Sequence, residues 1–372
     1  MAEPLKELYT RDVVASLGAA VARVDSAFDQ RAYLTSVMDA SWPQRELKDR
    51  MHTIARVLYA GMSGDYEQRI NRLIDLCPPF RGLPYLVFPD IVEQFGLEHW
   101  NTSMRALEVF TPLCSSEFAV RPFILRDPER MMKQMRRWAR SDNEHVRRLT
   151  SEGCRPRLPW AMALPNFQRD PSLVLPILEM LRTDSSEYVR RSAANNLNDI
   201  SKDHPALVLD IARRWMVEKP ETERLVKHAC RTLLKRGDAG AMGLFGFADD
   251  KKFAVRDLHV QPARLPIGGV LEFSFDLVAD AADIRIEYAI DYLKARGHHN
   301  RKVFKISERA ANGRETITRR HRMHDLTTRV HHPGEHHLHI VINGVVKASA
   351  TFELTRKVYP TKKELRDPFA KL

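Results

Sequence analysis

The sequence predicts a mainly α chain, a HEAT-like repeat α-solenoid followed by a small all-β immunoglobulin-like sandwich. Three observations predict it. The segment DPERMMKQMRRWARSDNEHVRR from Asp127 aligns without gaps to DPSLVLPILEMLRTDSSEYVRR from Asp170, an offset of 43 residues, within the period of about 40 to 47 residues of HEAT and armadillo repeats. In both copies apolar residues coincide, at Met131/Val174, Met132/Leu175, Met135/Leu178 and Trp138/Leu181, a spacing that puts them on one helix face. After Asp249-Asp250-Lys251-Lys252 the helical period gives way to short alternating or β-branched runs, the pattern of half-buried strands. The expected division is a solenoid over 1–250, a sandwich over 251–356 and a polar tail over 357–372.

From the N-terminus, residues 10–125 read as helix-rich, with a proline-rich connection from Pro78 to Pro89. Thr111-Pro112 reads as a cap followed by N1, opening a helix through Glu117 and Arg121. Each repeat opens on Asp-Pro, because Asp accepts hydrogen bonds from free N–H groups at the N-cap and Pro is tolerated at N1. The second helices are expected to begin near Glu144 and Glu187. A looser third copy runs from His204-Pro205 through Ala212 and Trp215 to LVKHACRTLL at 225–234. The β region contains seven runs, FAVRDLHV, VLEFSFDLVA, IRIEYAIDYL, RKVFKISER, ETITRRHRM, HHLHIVI and VVKASATFEL, which suggest seven strands of a sandwich. Asn343-Gly344 between the last two predicts a type I′ hairpin, since both residues tolerate positive φ.

Composition narrows the function. Lysine and arginine outnumber the acids 59 to 48, a net charge of +11, which favours a polyanionic partner, with nucleic acid first. The 44% hydrophobic content excludes a disordered chain. No run approaches the roughly 20 apolar residues needed to span a membrane, and the opening MAEPLK lacks the basic and apolar regions of a secretory signal. A cytoplasmic, nucleoid-associated monomer is expected. Cys77, Cys114, Cys154 and Cys230 lie far apart and read as reduced thiols rather than a zinc or disulfide set. Nine of the fifteen histidines fall between His298 and His339. His337 and His339 would share a strand face, but no spacing matches a zinc site, and neither metal nor organic cofactor is expected.

The second helix of each repeat is where chemistry is expected, because stacked second helices line a continuous concave surface. Arg148 and Glu152 are four apart and so share a face. The offset carries them onto Arg191 and Asn195, with Asp199 one turn further, while Val189, Ala193, Leu197 and Ile200 form the packing stripe. Glu117 and Arg121 repeat the acid-to-arginine spacing. Glu117, Glu152 and Asp199 thus sit among Arg147, Arg148, Arg155, Arg157, Arg190 and Arg191, an acidic spot in a basic groove. Carboxylates repel phosphates, so they point to a cationic ligand or to catalysis. An ordinary surface pair, weak in energy, is the plain alternative for Arg148 and Glu152. Trp160 follows the Arg155-Pro156-Arg157-Leu158-Pro159 segment, whose prolines end the helix, and is either core or an indole at the groove edge. Lys294-Ala295-Arg296-Gly297-His298-His299-Asn300-Arg301-Lys302 forms a basic hairpin suited to the minor groove or simply solvated.

The segments MAEPLKELY, EHVRRLTSEGCRPRLPW and VRRSAANNLNDISKDHP resemble the AlkC branch of the HEAT-like repeat alkylpurine DNA glycosylases, related more distantly to AlkD. The resemblance covers nearly the whole chain, including the immunoglobulin-like domain. It implies cleavage of the N-glycosidic bond of cationic lesions, 3-methyladenine and 3-methylcytosine, in duplex DNA with the base still largely stacked. By it, Glu117, Glu152 and Asp199 are the active-site acids, Trp160 the aromatic contact and Arg148 a partner orienting an acid. Glu152 and Asp199 are expected to share stabilisation of the sugar and positioning of water. AlkD-type sites pair one Asp with two Trp residues, so this chain departs from that pattern and leaves the three acids' roles open. The competing reading is a non-enzymatic repeat scaffold that binds DNA or protein.

Overall fold

The computed structural model describes residues 4–217, 220–247, 252–326 and 330–356; the expected tail at 357–372 lies outside them. Two compact units emerge, 1–230 and 231–372. In the first, helices α1 (Arg11–Val24), α2 (Gln30–Val37), α3 (Leu47–Gly61), α4 (Tyr66–Leu76), α5 (Val87–Phe95) and α6 (Trp100–Cys114) precede the repeat region. There follow α7 (Val120–Arg126), α8 (Pro128–Trp138), α9 (Glu144–Glu152), α10 (Pro165–Arg169), α11 (Leu175–Leu181), α12 (Glu187–Ile200), α13 (Pro205–Met216) and α14 (Pro220–Ala229). Local chemistry sets several starts. Thr10, Asp29, Asp65, Asp127 and Asn143 each accept a bond from a free N–H of the following turn. None of the described helices is long and apolar enough to cross a membrane.

The repeat holds, with one local departure. Asp127 caps α8 as expected, and α9 and α12 start at Glu144 and Glu187. Asp170 instead accepts the Ser172 N–H at 2.9 Å, a tight local turn, and α11 begins only at Leu175. Thr111-Pro112 does not open a helix. Both residues finish α6, and the Thr111 hydroxyl bonds back to the Leu107 carbonyl. The helix stops where Ser115 takes a positive φ of 69°, so Glu117 lies in a turn and only Arg121 is helical. The stretch from Pro78 to Pro89 likewise contains a 3-10 turn at Leu83–Leu86 and the start of α5. Met131, Met132, Met135 and Trp138 are buried, as are Val189, Ala193, Leu197 and Ile200, so both packing faces read correctly. The second helices stack in a row, α9 on α12 and α12 on α14.

The second unit contains α15 (Arg231–Arg236), α16 (Ala239–Leu244) and strands β1 (Phe253–Gln261), β2 (Arg264–Pro266), β3 (Val270–Leu293), β4 (His299–Arg322), β5 (Gly334–Ile342) and β6 (Val345–Thr355). Its boundary precedes residue 250 because α15 and α16 pack with the strands. Gly237 sits so close to the Asn343-Gly344 turn that a Cβ there would stand 2.6 Å from the Gly344 carbonyl oxygen. That turn has φ of 48° and 81° at its two residues, as a type I′ hairpin requires.

Four of the seven expected strands merge into two. β3 and β4 pair along their whole lengths, with a register shift between Ala279 and Ala282. The extra residue there changes which side chains face inward. Leu271, Phe273, Phe275 and Leu277 are buried before it, and Ile284, Ile286, Ile290 and Tyr292 after it. The first half of β3 pairs with β1 and the second with β5, and both halves contribute to one core with Leu338, Ile340 and Phe352.

Candidate active site

A cavity of about 490 Å³ opens on the first unit, bounded by Leu83, Leu86, Pro112, Glu117, Phe118, Arg148, Glu152, Leu158, Trp160 and Tyr188 among others. Its charged wall is a relay of ion pairs. Arg148, on α9, bonds Glu117 with one nitrogen and stands 3.6 Å from Glu152 with the other. The Ser115 hydroxyl also donates to Glu117, at 2.6 Å. Arg155 then donates to Glu152 Oε1 at 2.7 Å and to Asp199 Oδ2 at 2.9 Å, and Lys202 donates to Asp199 Oδ1 at 2.8 Å. Ser192 on α12 donates to Glu152 Oε2 at 2.7 Å and itself accepts from Ser151. Burial alone would weaken the Arg148 and Arg155 guanidinium charges. The facing carboxylates overcome it and raise both above the ordinary arginine value, Glu117 and Glu152 acting on Arg148, Glu152 and Asp199 on Arg155.

The three expected acids therefore belong to one network but occupy different depths. Glu117 is the most open, its side chain 18% exposed. Glu152 lines the cavity with a buried side chain. Asp199 is 1% exposed and is absent from the cavity wall; it sits behind Arg155. Trp160 is no core residue. Its indole is 60% exposed at the cavity, on a backbone with φ of 64°, the left-handed region that costs a non-glycine residue strain.

Two residues that sequence reasoning did not assign hold this loop. Arg121, fully buried, donates to the carbonyls of Gly153, Arg155 and Met162 at 2.7 to 2.9 Å, tying both ends of the segment that carries Arg155 and Trp160. Burial pushes its pKa down to about 10. Lys48 of α3 donates to the Trp160 carbonyl at 3.1 Å and lies 5.0 Å from the centre of the Phe118 ring. Ser192 is the third missed residue. A polar side chain flanked by Val189 and Ala193 on a packing face was the available signal. Arg121→Met should cost about 2 to 3 kcal/mol, because three carbonyls lose a charged donor. Urea unfolding would measure it, and an unchanged midpoint would refute the role.

The remaining arginines divide. Arg147 pairs with Asp184 and donates to the carbonyls of Ser141 and Asp142. Arg190, its repeat partner, donates to the equivalent carbonyls of Asp184 and Ser185. Both pin the loop between the two helices of a repeat, and Arg157 is paired with Asp203. Arg191 is exposed on α12. In the second unit, Arg296 lies exposed at the tip of the β3–β4 hairpin, closed by Gly297 N–H to the Lys294 carbonyl. Lys302 is exposed. Arg301 binds Asp291 at 2.7 Å and, with His339, holds that carboxylate at about 2. Cys77, Cys154 and Cys230 are buried and all four cysteines are free thiols.

Comparison with known proteins identifies the family. Residues 113–232 match the model of the DNA alkylation repair enzyme family. Residues 254–356 match that of the C-terminal Ig-like domain of YhaZ. The uncharacterized protein YhaZ of Bacillus subtilis (strain 168) is 47% identical over 353 residues, 94% of this chain and 99% of that one. Alkylpurine DNA glycosylase AlkC of Pseudomonas fluorescens, solved bound to DNA containing an abasic site analog, superimposes with a TM-score of 0.91 at 38% identity, over 95% of this chain and 100% of that chain. The ion-pair relay from Glu117 to Lys202 lies within the matched DNA alkylation repair region, and the chain belongs to the AlkC family of DNA alkylation repair enzymes.

Proposed function

We propose that the protein is a monofunctional DNA glycosylase that hydrolyses the N-glycosidic bond of 3-methyladenine and 3-methylcytosine in duplex DNA. The observation that carries this reading is the pair of carboxylates, Glu117 and Glu152, joined through Arg148 on the wall of one cavity whose edge presents Trp160. A base that already carries a positive charge leaves without a strong general acid. What the reaction needs is stabilisation of the oxocarbenium-like sugar and a held water. Glu152, buried and fixed by Ser192 and two arginines, supplies a preorganised negative charge. The more open Glu117 positions the water, and Arg148 fixes the spacing between them. Asp199 acts through Arg155 as a positioning residue.

Trp160 offers an exposed π-face to a cationic base, an attraction of about 0.5 to 2 kcal/mol. Arg148 lies over the Tyr188 ring and Lys48 over the Phe118 ring, so one face of each is already occupied. This supports attack on the sugar while the base stays largely stacked. Lys294, Arg296, Arg301 and Lys302 of the β3–β4 hairpin contribute phosphate contacts, as does Arg191. The test is incubation with methylated duplex DNA. Release of free 3-methyladenine and 3-methylcytosine, with unmodified bases untouched, is the expected result. No release of either refutes the reading and leaves a DNA-binding scaffold.

A further inference from the structure

We infer that the cleft between α12 and α14 is a phosphate subsite, a second-repeat copy of the active-site cleft in which the arginine is kept and the acid is replaced; this rests on the DNA reading above. A cavity of about 300 Å³ lies there, bounded by Glu187, Arg190, Arg191, Ala194, Arg224, Leu225 and His228. The 43-residue offset places Arg191 where Arg148 stands and Asn195 where Glu152 stands. In the active-site cleft Arg148 is engaged by two carboxylates. Here the residue one turn on is an amide, and Asn195 is engaged with the His228 ring at 2.9 Å.

Arg191 and Arg224 are both exposed and form no ion pair among the described residues. Arg190 is not available, since its guanidinium holds the carbonyls of Asp184 and Ser185. The one acid of the cleft, Glu187, is exposed and unpaired among the described residues. Two unengaged guanidinium groups on adjacent helices suit a phosphodiester, which planar forked donors bind in preference to a point charge. Position gives the register. Packed helices stand about 8 to 10 Å apart, and a DNA strand advances about 3.4 Å along the axis per nucleotide. The occupant is therefore the phosphate about two to three nucleotides from the reacting sugar.

The experiment measures binding of the full-length protein to a fluorescent duplex carrying an abasic-site analogue, over a series of salt concentrations. Arg191→Ala with Arg224→Ala should lower the log–log salt slope by about 0.9, the value for the one phosphate charge no longer neutralised. Arg213→Ala, which removes an exposed charge from α13, should leave the slope unchanged. A single methylphosphonate linkage placed two to three nucleotides from the lesion should weaken the unaltered protein and have no further effect on the double variant. An unchanged slope in the double variant overturns the subsite, as does an equal drop with Arg213→Ala or a methylphosphonate penalty that persists in the double variant. Steep salt dependence without an effect of the double substitution refutes the subsite alone. If the unaltered protein fails to bind duplex at all, the DNA reading falls with it.

Discussion

Glu152→Gln should lower the single-turnover rate of 3-methyladenine release by about 100- to 1,000-fold, the range expected when one preorganised electrostatic group is removed from an active site. Glu117→Gln should produce a comparable loss. Glutamine keeps the volume, so the cavity survives, but its amide nitrogen carries donors into a wall already full of them. Ser192, Arg148 and Arg155 all point donors at Glu152. Binding to an abasic-analogue duplex should weaken little, since neither carboxylate attracts phosphate. Because Arg148 contacts both acids, the two substitutions share a partner and the double variant should lose less than the product of the single losses. Rates measured with enzyme in excess decide it. If both single variants keep near-normal rates, neither carboxylate takes part.

The legible portion of the site was the part that repeats. Arg148 and Glu152 are four apart on a helix whose boundaries the Asp-Pro and Glu-x-Val-Arg-Arg signatures located, so their shared face followed from spacing alone. The Asn343-Gly344 turn was equally local. What stayed hidden depends on distant backbone. Nothing near Arg155 in sequence shows that it turns inward to Asp199, 44 positions later, and Arg147 read as part of a basic groove because its carbonyl partners are invisible to composition. Thr111-Pro112 looked like a helix start because Pro is favoured in the first turn and forfeits a backbone hydrogen bond anywhere later; α6 nonetheless carries Pro112 inside its last turn and stops only where Ser115 takes its positive φ. The β3–β4 pair broke the strand count for a similar reason. A one-residue bulge interrupts alternation without interrupting the hydrogen-bonded ladder, so pattern reading found four strands in place of two.

The depth of Asp199 leads to the second large effect. Asp199→Asn leaves Arg155 and Lys202 facing an amide, but Arg155 keeps its 2.7 Å bond to Glu152, so the cost should be about 2 to 3 kcal/mol, below the roughly 3 to 5 typical of a buried ion pair stripped of one member. Chemical denaturation should show a destabilisation of that size, accompanied by a fall in excision. Loss of activity alone would not distinguish a group that touches the sugar from one that aims Arg155 at Glu152. The cycle with Arg155→Met does. If Asp199 acts through Arg155, adding Asp199→Asn to the Arg155→Met protein costs no further excision rate, and the two stability losses are less than additive, since both substitutions remove the same ion pair. If the acid contacts the reacting sugar directly, the same addition costs about another 100-fold. Its 2.9 Å bond to Arg155 Nε, its contact with Lys202 and its absence from the cavity wall favour the first outcome. On the proposed reading, the irregular loop after α9 contributes to chemistry through an arginine anchored from behind, and the acids that meet the substrate are Glu117 and Glu152.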